Sequence, residues 1–309
     1  QVRLLSMSDR VRVDEVLTSL LTLCTPLDPF DMPLLDAHGA TLAEDVYAGE
    51  RLVMKAGSRI RSTQIGLAAS IGLDHLPTRP HPRVVVLSAG PDLVEPGITL
   101  EGEEEYETNS WLLTTAVRET GAVAYRVHSI PENEDQLKDA IEDQLVRADL
   151  IIISGERHDD SFALITRTLQ QLGDVTAVDV AIESSGRHNY GTIGPDKVPV
   201  VTLPGDPIAA YISFELLVRP MIRTMLGAAT IHRPSVKARL EKGLTSTPGV
   251  RSYIRGLLSE DGKSVAPLGS QDEQATLSDA NAFIAIPESE GDVPAGAEVT
   301  VVVLERRYI

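Results

Sequence analysis

The fold is decided by Arg83-Val84-Val85-Val86-Leu87-Ser88, a short apolar run that ends in the turn Ala89-Gly90-Pro91. A run that is apolar on both faces is typical of a buried parallel strand. Similar runs predict further strands at residues 122–127, 149–154, 177–182 and 198–203. Helical patterns lie between them, at residues 109–120, 132–146, 161–172 and 206–226. This alternation predicts a doubly wound α/β domain, in which ligands bind at the carboxyl ends of the strands.

The first 80 residues have a helical pattern instead. Apolar residues recur at helical spacing over residues 9–24, and two shorter helices are predicted at 35–46 and 62–71. A basic connector that contains glycine joins these two, at residues 49–60. Because so small a segment buries little core by itself, we expect it to pack against something else, such as a second subunit.

After Pro234 the pattern changes to short alternating segments separated by Gly, Pro and Ser turns. Strands are predicted at residues 236–240, 252–257, 282–286 and 298–304, which indicates a small all-β module, a barrel or a sandwich. We therefore divide the chain into a helical dimerisation segment at 1–80, an α/β domain at 81–231 and a β domain at 232–309.

Composition narrows the classes of function. The chain has 309 residues, with 28 Lys and Arg against 45 Asp and Glu, so its formal net charge is −17. A charge of this sign repels phosphate backbones and anionic lipid, so we expect no nucleic-acid binding. We also expect no membrane insertion, because no apolar run approaches the ~20 residues of a membrane span. The single cysteine, Cys24, is predicted in the core, and we expect a reducing compartment, the cytoplasm.

Several motifs follow one another along the chain. They are Ala43-Glu44-Asp45-Val46, IGLAASIG at 65–72, PRVVVLSAGPDLVEPG at 82–97, Glu107-Thr108-Asn109-Ser110, Leu203-Pro204-Gly205-Asp206-Pro207, and the segments ANA at 280–282 and IPE at 286–288. In this order they resemble the molybdopterin molybdenumtransferase (MoeA) family, which includes the gephyrin E domain. The resemblance covers nearly the whole chain.

The resemblance implies a fold and a site. The α/β domain would be MogA-like, the β domain a barrel, and the protein a homodimer. The ligands would be adenylated molybdopterin, molybdate and Mg²⁺. The implied cofactor-binding positions are Asp92, Glu132, Asp159, Asp160, Pro204, Gly205, Asp206 and Pro207. Of these, Asp159 and Asp160 would serve only as substitutes, since the family's essential aspartate aligns with Ala163.

The chain also departs from the family pattern where the chemistry lies. Family members carry about 120 further residues, an inserted β domain, in the region where Val46-Tyr47-Ala48 here runs almost directly into the connector. Two family lysines are replaced by Asp179 and Glu183. Each unit charge pair is worth ~2–3 kcal/mol at ~6 Å and an effective dielectric of ~20, before screening. We therefore expect weakened binding of the anionic pterin and molybdate.

Two functions compete on this basis. The first is a catalytically impaired scaffold, a pseudoenzyme that binds a peptide tail of another protein between the α/β and barrel domains, with a cytoskeletal or receptor tail as the analogous partner. Its candidate contacts are Tyr253, Phe283 and Pro287, although core packing is the alternative role of Phe283. The second is an active molybdopterin molybdenumtransferase. A full-length paralogue in the same organism would favour the scaffold.

Two groups of polar residues remain. The acidic run at 101–107 is predicted to be a solvated loop, with a cation site as the alternative. Loop residues Arg157, His158, Arg187 and His188 are predicted to be solvated, with a remodelled anion or peptide site as the alternative.

Overall fold

The computed structural model describes residues 10–128, 131, 133–156, 159–183, 185–269 and 273–305. A six-stranded sheet forms its centre. The strands are β6 (Arg83–Ser88), β9 (Val123–Arg126), β10 (Leu150–Ser154), β11 (Gly173–Ile182), β12 (Ser185–Ile193) and β13 (Val198–Leu203). Their order in the sheet is β11-β12-β13-β10-β6-β9. The four strands from β13 to β9 are parallel, and β12 runs antiparallel to both of its neighbours.

Helices cover both faces of this sheet. They are α3 (Asn109–Thr120), α4 (Glu134–Leu145), α5 (Asp159–Leu172), α6 (Pro207–Ser213) and α7 (Arg219–Met225), with a π-helical turn at Phe214–Val218 between the last two. The alternating β6 side chains enter separate cores, Val84 and Val86 packing with α3 and α7, and Val85 and Leu87 with α4 and α5. Helix α3 ends where predicted, because Gly121 adopts the left-handed conformation at φ 103°.

The C-terminal domain is a closed five-stranded barrel. Its elements are β14 (Ser235–Leu240), β15 (Leu244–Thr245), β16 (Ser252–Leu258), β17 (Ser264–Pro267), α8 (Glu273–Asp279), β18 (Ala282–Ile286), β19 (Asp292–Val293) and β20 (Glu298–Val303). The barrel strands follow one another in the order β14-β17-β16-β18-β20. The predicted α/β fold with a terminal barrel is confirmed, and the choice between barrel and sandwich is settled for the barrel. The domain boundaries stay a prediction.

The N-terminal segment is mixed rather than purely helical. It contains α1 (Val13–Leu21), α2 (Ser62–Ser70), β1 (Phe30–Pro33), β2 (Thr41–Leu42), β3 (Val46–Ala48), β4 (Arg51–Met54) and β5 (His75–Arg79), and the short strands β7 (Leu93–Val94) and β8 (Glu105–Tyr106) follow later. The helix predicted at 35–46 is wrong. Gly39 adopts φ +89°, which ends any helix there, and Leu42 donates its N–H to the Ser58 carbonyl at 2.9 Å.

The structure also bears on the predictions for Cys24 and for membrane spans. Cys24 is buried in the core, as predicted, and burial raises the pKa of its thiol to about 12. Among the described residues, no helix combines the length and apolar composition that crossing a bilayer requires.

Candidate functional site

The carboxyl ends of three neighbouring parallel strands meet at one edge of the sheet. Ser88 of β6 is paired with Ser154 of β10, and Ser154 is paired with Leu203 of β13. The loops that follow these strands carry Asp92, Gly155 to Glu156, and Pro204 to Pro207. The structure therefore places five of the predicted positions, Asp92, Pro204, Gly205, Asp206 and Pro207, at the edge where ligands of such sheets bind.

A buried polar network lies beneath this edge. The Ser88 hydroxyl donates to Glu107 Oε1 at 2.6 Å and lies 2.9 Å from the Ser154 hydroxyl. The same Glu107 oxygen accepts the Ser110 backbone N–H at 2.7 Å, at the start of α3. Glu107 is only 1% exposed, so the prediction of a solvated acidic loop is wrong at this residue. The Glu107-Thr108-Asn109-Ser110 motif was the signal that set it apart from the preceding glutamates.

Arg126, at the end of β9, balances the charge of this network. Its guanidinium lies 3.3 Å from Glu107 Oε2, donates to the Ser110 hydroxyl at 2.6 Å and pairs with Glu95. It also lies 4.2 Å from the centroid of the Trp111 ring. Because this buried arginine already serves two carboxylates and a ring, its charge is not available to a ligand.

Glu156 fills the space between the first two loops. Its side chain accepts the Asp92 N–H at 2.7 Å, and its own N–H donates to the Ser161 hydroxyl at 3.0 Å. The side chain packs so closely over Gly90 that a Cβ at that position would clash with it. Glu156 is 7% exposed, whereas Asp92 is exposed. A carboxylate of this protein thus occupies a backbone donor at the sheet edge, which the sequence analysis missed.

The Asp206 carboxylate also occupies backbone donors, at the third loop. It accepts the N–H groups of Ile208 at 3.1 Å and Ala209 at 2.9 Å, as the N-cap of α6. Asn109 fixes the loop from the other side by donating its Nδ2 to the Gly205 carbonyl at 2.7 Å. The Asn109 Oδ1 atom is buried and finds no hydrogen-bond partner among the described residues.

The carboxylates that could hold the implied Mg²⁺ are those of Asp92, Glu132, Asp159 and Asp160. Glu132 lies outside the described residues, and of Asp159 and Asp160 only the backbone, in the first turn of α5, is described. Arg157 and His158, named above for an anion or peptide site, also lie outside the described residues. Within the described part of the chain, no group of three His, Cys, Asp or Glu side chains could hold a metal ion. The Mg²⁺ site stays a prediction.

Asp179 and Glu183 lie on or just after β11, two strands from β13. The Asp179 carboxylate pairs with Arg10 at 3.5 Å, and Glu183 accepts the Thr247 hydroxyl at 2.9 Å. Both acids therefore join the central domain to its neighbours, one to the N-terminal segment and one to the barrel.

His188 is a core residue, so its predicted solvated position is wrong. Its Nδ1–H donates to the Gly186 carbonyl at 3.1 Å, since a carbonyl only accepts, and its Nε2 accepts the Ser213 hydroxyl at 3.1 Å. Burial disfavours the charged ring and lowers its pKa to about 4. Arg187, in contrast, stacks over the Phe162 ring at 5.2 Å.

This burial predicts a pH dependence of stability. The folded pKa of His188 lies below its ordinary 6.5, so the neutral ring stabilises the fold above pH 6.5 and this contribution is lost as pH falls toward 4. We expect a loss of about 3 kcal/mol across that window. Urea unfolding at pH 7, 5.5 and 4 measures it, with His188→Gln as the control that removes this titration. Equal pH slopes for the two proteins would contradict the assignment.

A second concave region lies between the α/β domain and the barrel. We call it the interdomain groove, with a volume of about 610 Å³. It is lined by Thr108, Leu112, Thr115, Ala116, Glu119, Pro207, Tyr211, Arg233, Leu277, Ser278, Ala280, Leu304 and Glu305.

The predicted peptide contacts do not line this groove. Phe283 is fully buried and meets Tyr211 edge to face at 6.1 Å, so it packs the core and cannot contact a peptide directly. Tyr253 is half-buried against the same core, and Pro287 is exposed elsewhere on the barrel. The sequence pattern could not find the groove because its two walls are far apart along the chain.

The fold and its edge site define a MogA-like α/β protein with an appended barrel. Residues 85–224 match the family described as "Probable molybdopterin binding domain", and residues 237–304 match the MoeA C-terminal region (domain IV). The chain belongs to the MoeA family.

Relatives agree with this assignment. The chain is 32% identical over 277 residues to molybdopterin molybdenumtransferase 1 and 34% identical over 272 residues to molybdopterin molybdenumtransferase 2, both of Mycobacterium tuberculosis. These matches cover 87% and 85% of this chain but only 65% and 66% of those proteins. A solved MoeA protein from Pyrococcus horikosii has the same fold, with a TM-score of 0.82 at 20% identity over 96% of this chain and 99% of that chain.

Proposed function

We propose that this MoeA-family chain is a dimeric cytoplasmic scaffold in which cofactor chemistry is impaired, and that it binds a peptide tail of a partner protein in the interdomain groove. The observation that supports impaired cofactor chemistry is a carboxylate at the edge of the sheet. Glu156 accepts the Asp92 N–H at 2.7 Å and packs over Gly90, at the loops where a ligand of this sheet would sit.

The chemistry of the implied ligand explains why this matters. A pterin phosphate and molybdate are anions, which proteins hold with fixed cations and free N–H groups. Here the Asp92 N–H is taken by the Glu156 carboxylate, whose charge also repels an anion. Arg126, the cation buried in the network beneath the edge, is balanced by Glu95 and Glu107. Asp179 and Glu183, at the positions of the family lysines, supply no cation that could hold an anion.

The connection between β3 and β4 supports the absence of the inserted β domain. These strands form a tight hairpin, in which Ala48 pairs with Arg51. The chain spans about 65% of the length of the curated relatives it matches, as expected if a domain of ~120 residues is missing. We infer that a full-length paralogue, and not this chain, carries out the activity of the whole relatives.

A second candidate is an active molybdopterin molybdenumtransferase. It is favoured by the names of the relatives at 32% and 34% identity. The buried Asn109 Oδ1, which has no described partner, also offers an acceptor to a ligand N–H at the sheet edge. On this reading molybdopterin would lie at the sheet edge, with Asp92, Glu132, Asp159 and Asp160 as candidates for holding Mg²⁺.

Titration calorimetry separates the two candidates. We expect no saturable heat when the chain is titrated with molybdopterin, or with molybdate plus Mg²⁺. A full-length M. tuberculosis relative, under the same conditions, serves as the positive control. Binding at micromolar Kd or tighter would overturn the impaired-site proposal and favour the enzyme.

A further inference from the structure

The charge of the interdomain groove is set by Glu119, Arg233 and Glu305. The positive charge of Arg233 is already balanced, because its guanidinium binds both Glu215 oxygens at 2.7 and 2.8 Å. It also donates to the Leu304 carbonyl at 2.8 Å. Glu119 is exposed and interacts with Arg233 only through space, without a close ion pair to a described residue. The groove therefore presents a negative wall to whatever binds in it.

The floor of the interdomain groove is apolar. Leu112 and Tyr211 come from the α/β domain, and Leu277 and Leu304 from the barrel side. All four are half-buried, so they are reachable and apolar at once. A concave site of this volume, with an apolar floor and few charged groups, has the usual make-up of a binding site.

Trp111 extends this surface along α3. It lies three residues after Thr108 and four before Thr115, which both line the groove, so the three residues share one side of the helix. The ring is 50% exposed, yet it is held in place by Arg126 at 4.2 Å and by its Nε1–H, which donates to Glu95 at 3.3 Å. An exposed aromatic ring that is already ordered loses little entropy on binding, which is typical of an interface anchor.

We propose that the groove and Trp111 together bind an extended peptide with a lysine or arginine next to an aromatic or aliphatic side chain. The apolar side chain enters between Leu112 and Leu277, and the basic group pairs with Glu119. This inference rests on the peptide-scaffold function proposed above and names the chemistry of its partner. The net charge of −17 disfavours an acidic peptide on approach as well as in the groove.

Selection from a random 12-residue phage library against the full chain tests the sequence preference. We expect the selected peptides to carry Lys or Arg within a few residues of an aromatic or Leu. A fluorescein-labelled copy of the leading peptide then gives Kd by polarisation. Glu119→Gln is expected to weaken binding up to about 5-fold, the range of an exposed ion pair, and Glu119→Lys more than that.

The controls keep the outcomes distinct. Glu142→Lys makes the same charge change at an exposed position of α4, on the other face of the sheet, and is expected to leave Kd unchanged. Leu277→Ala should weaken binding if the groove is the site. Selected peptides without basic residues, or equal effects of Glu119→Lys and Glu142→Lys, would overturn this inference alone. Failure to select any peptide would overturn the scaffold function with it.

Discussion

Replacing Arg233 by alanine is expected to lower the free energy of unfolding by about 3 kcal/mol. Arg233 binds both carboxylate oxygens of Glu215, whose side chain is 2% exposed in the π-helical turn. Removing the arginine leaves this carboxylate buried with Arg219, at 3.7 Å, as its remaining described ion-pair partner. The desolvation cost of Glu215 is then no longer offset.

Arg233→Ala is also expected to weaken the contact between the two domains that form the groove. Arg233 precedes β14 and donates to the Leu304 carbonyl after β20, so it ties the α/β domain to the barrel on both sides of the groove. Urea unfolding followed by circular dichroism measures the stability loss. Arg167→Ala, which breaks an exposed pair with Glu134, is the matched control, with a loss below about 1 kcal/mol. Equal losses in the two variants would show that Glu215 does not need Arg233.

The buried parts of the fold were predictable from the sequence because burial leaves a pattern. Residues 84–87 are all apolar, and the strand at 83–88 is buried at all positions after the first. Helix α3 was predicted with its bounds because Gly121 marks its end. Neither inference needed knowledge of distant residues.

Strand β12 was missed because its interior residues are polar. His188 and Asn189 are both buried, and their hydrogen bonds to Ser213 and Thr202 compensate for the lost water. No hydrophobic periodicity records such partners, which come from other elements. A polar strand with satisfied side chains therefore looks like a loop in the sequence.

The sequence predicted only part of the candidate site, again because some of its contacts come from distant elements. Motifs placed Asp92 and the loop at Pro204 correctly at the sheet edge. The role of Glu156 depends instead on its distance to the Asp92 N–H and on its packing over Gly90, both set by the pairing of β6 with β10. A sequence shows which carboxylates are present, while the tertiary structure decides which of them occupy backbone donors.

Replacing Arg126 by alanine is expected to have the largest effect of all, a loss of about 3–5 kcal/mol in the free energy of unfolding. Glu107 is 1% exposed and Arg126 is its described ion-pair partner. The substitution therefore leaves a buried carboxylate without this partner, beneath the sheet edge. Trp111 would also lose the guanidinium that lies over its ring. Since Trp111 is the only tryptophan of the chain, its fluorescence reports both changes.

The measurement is urea unfolding of wild type and Arg126→Ala, followed by Trp111 emission and by circular dichroism. Arg83→Ala is the control, because Arg83 pairs with Asp149 at a more exposed position of the neighbouring strand, with an expected loss below about 1 kcal/mol. Adding Glu107→Gln to Arg126→Ala should recover part of the loss, since a neutral amide costs less to bury than an unpaired carboxylate. If the double variant is no more stable than Arg126→Ala, the loss comes from packing, and the charge balance assigned to Arg126 is wrong.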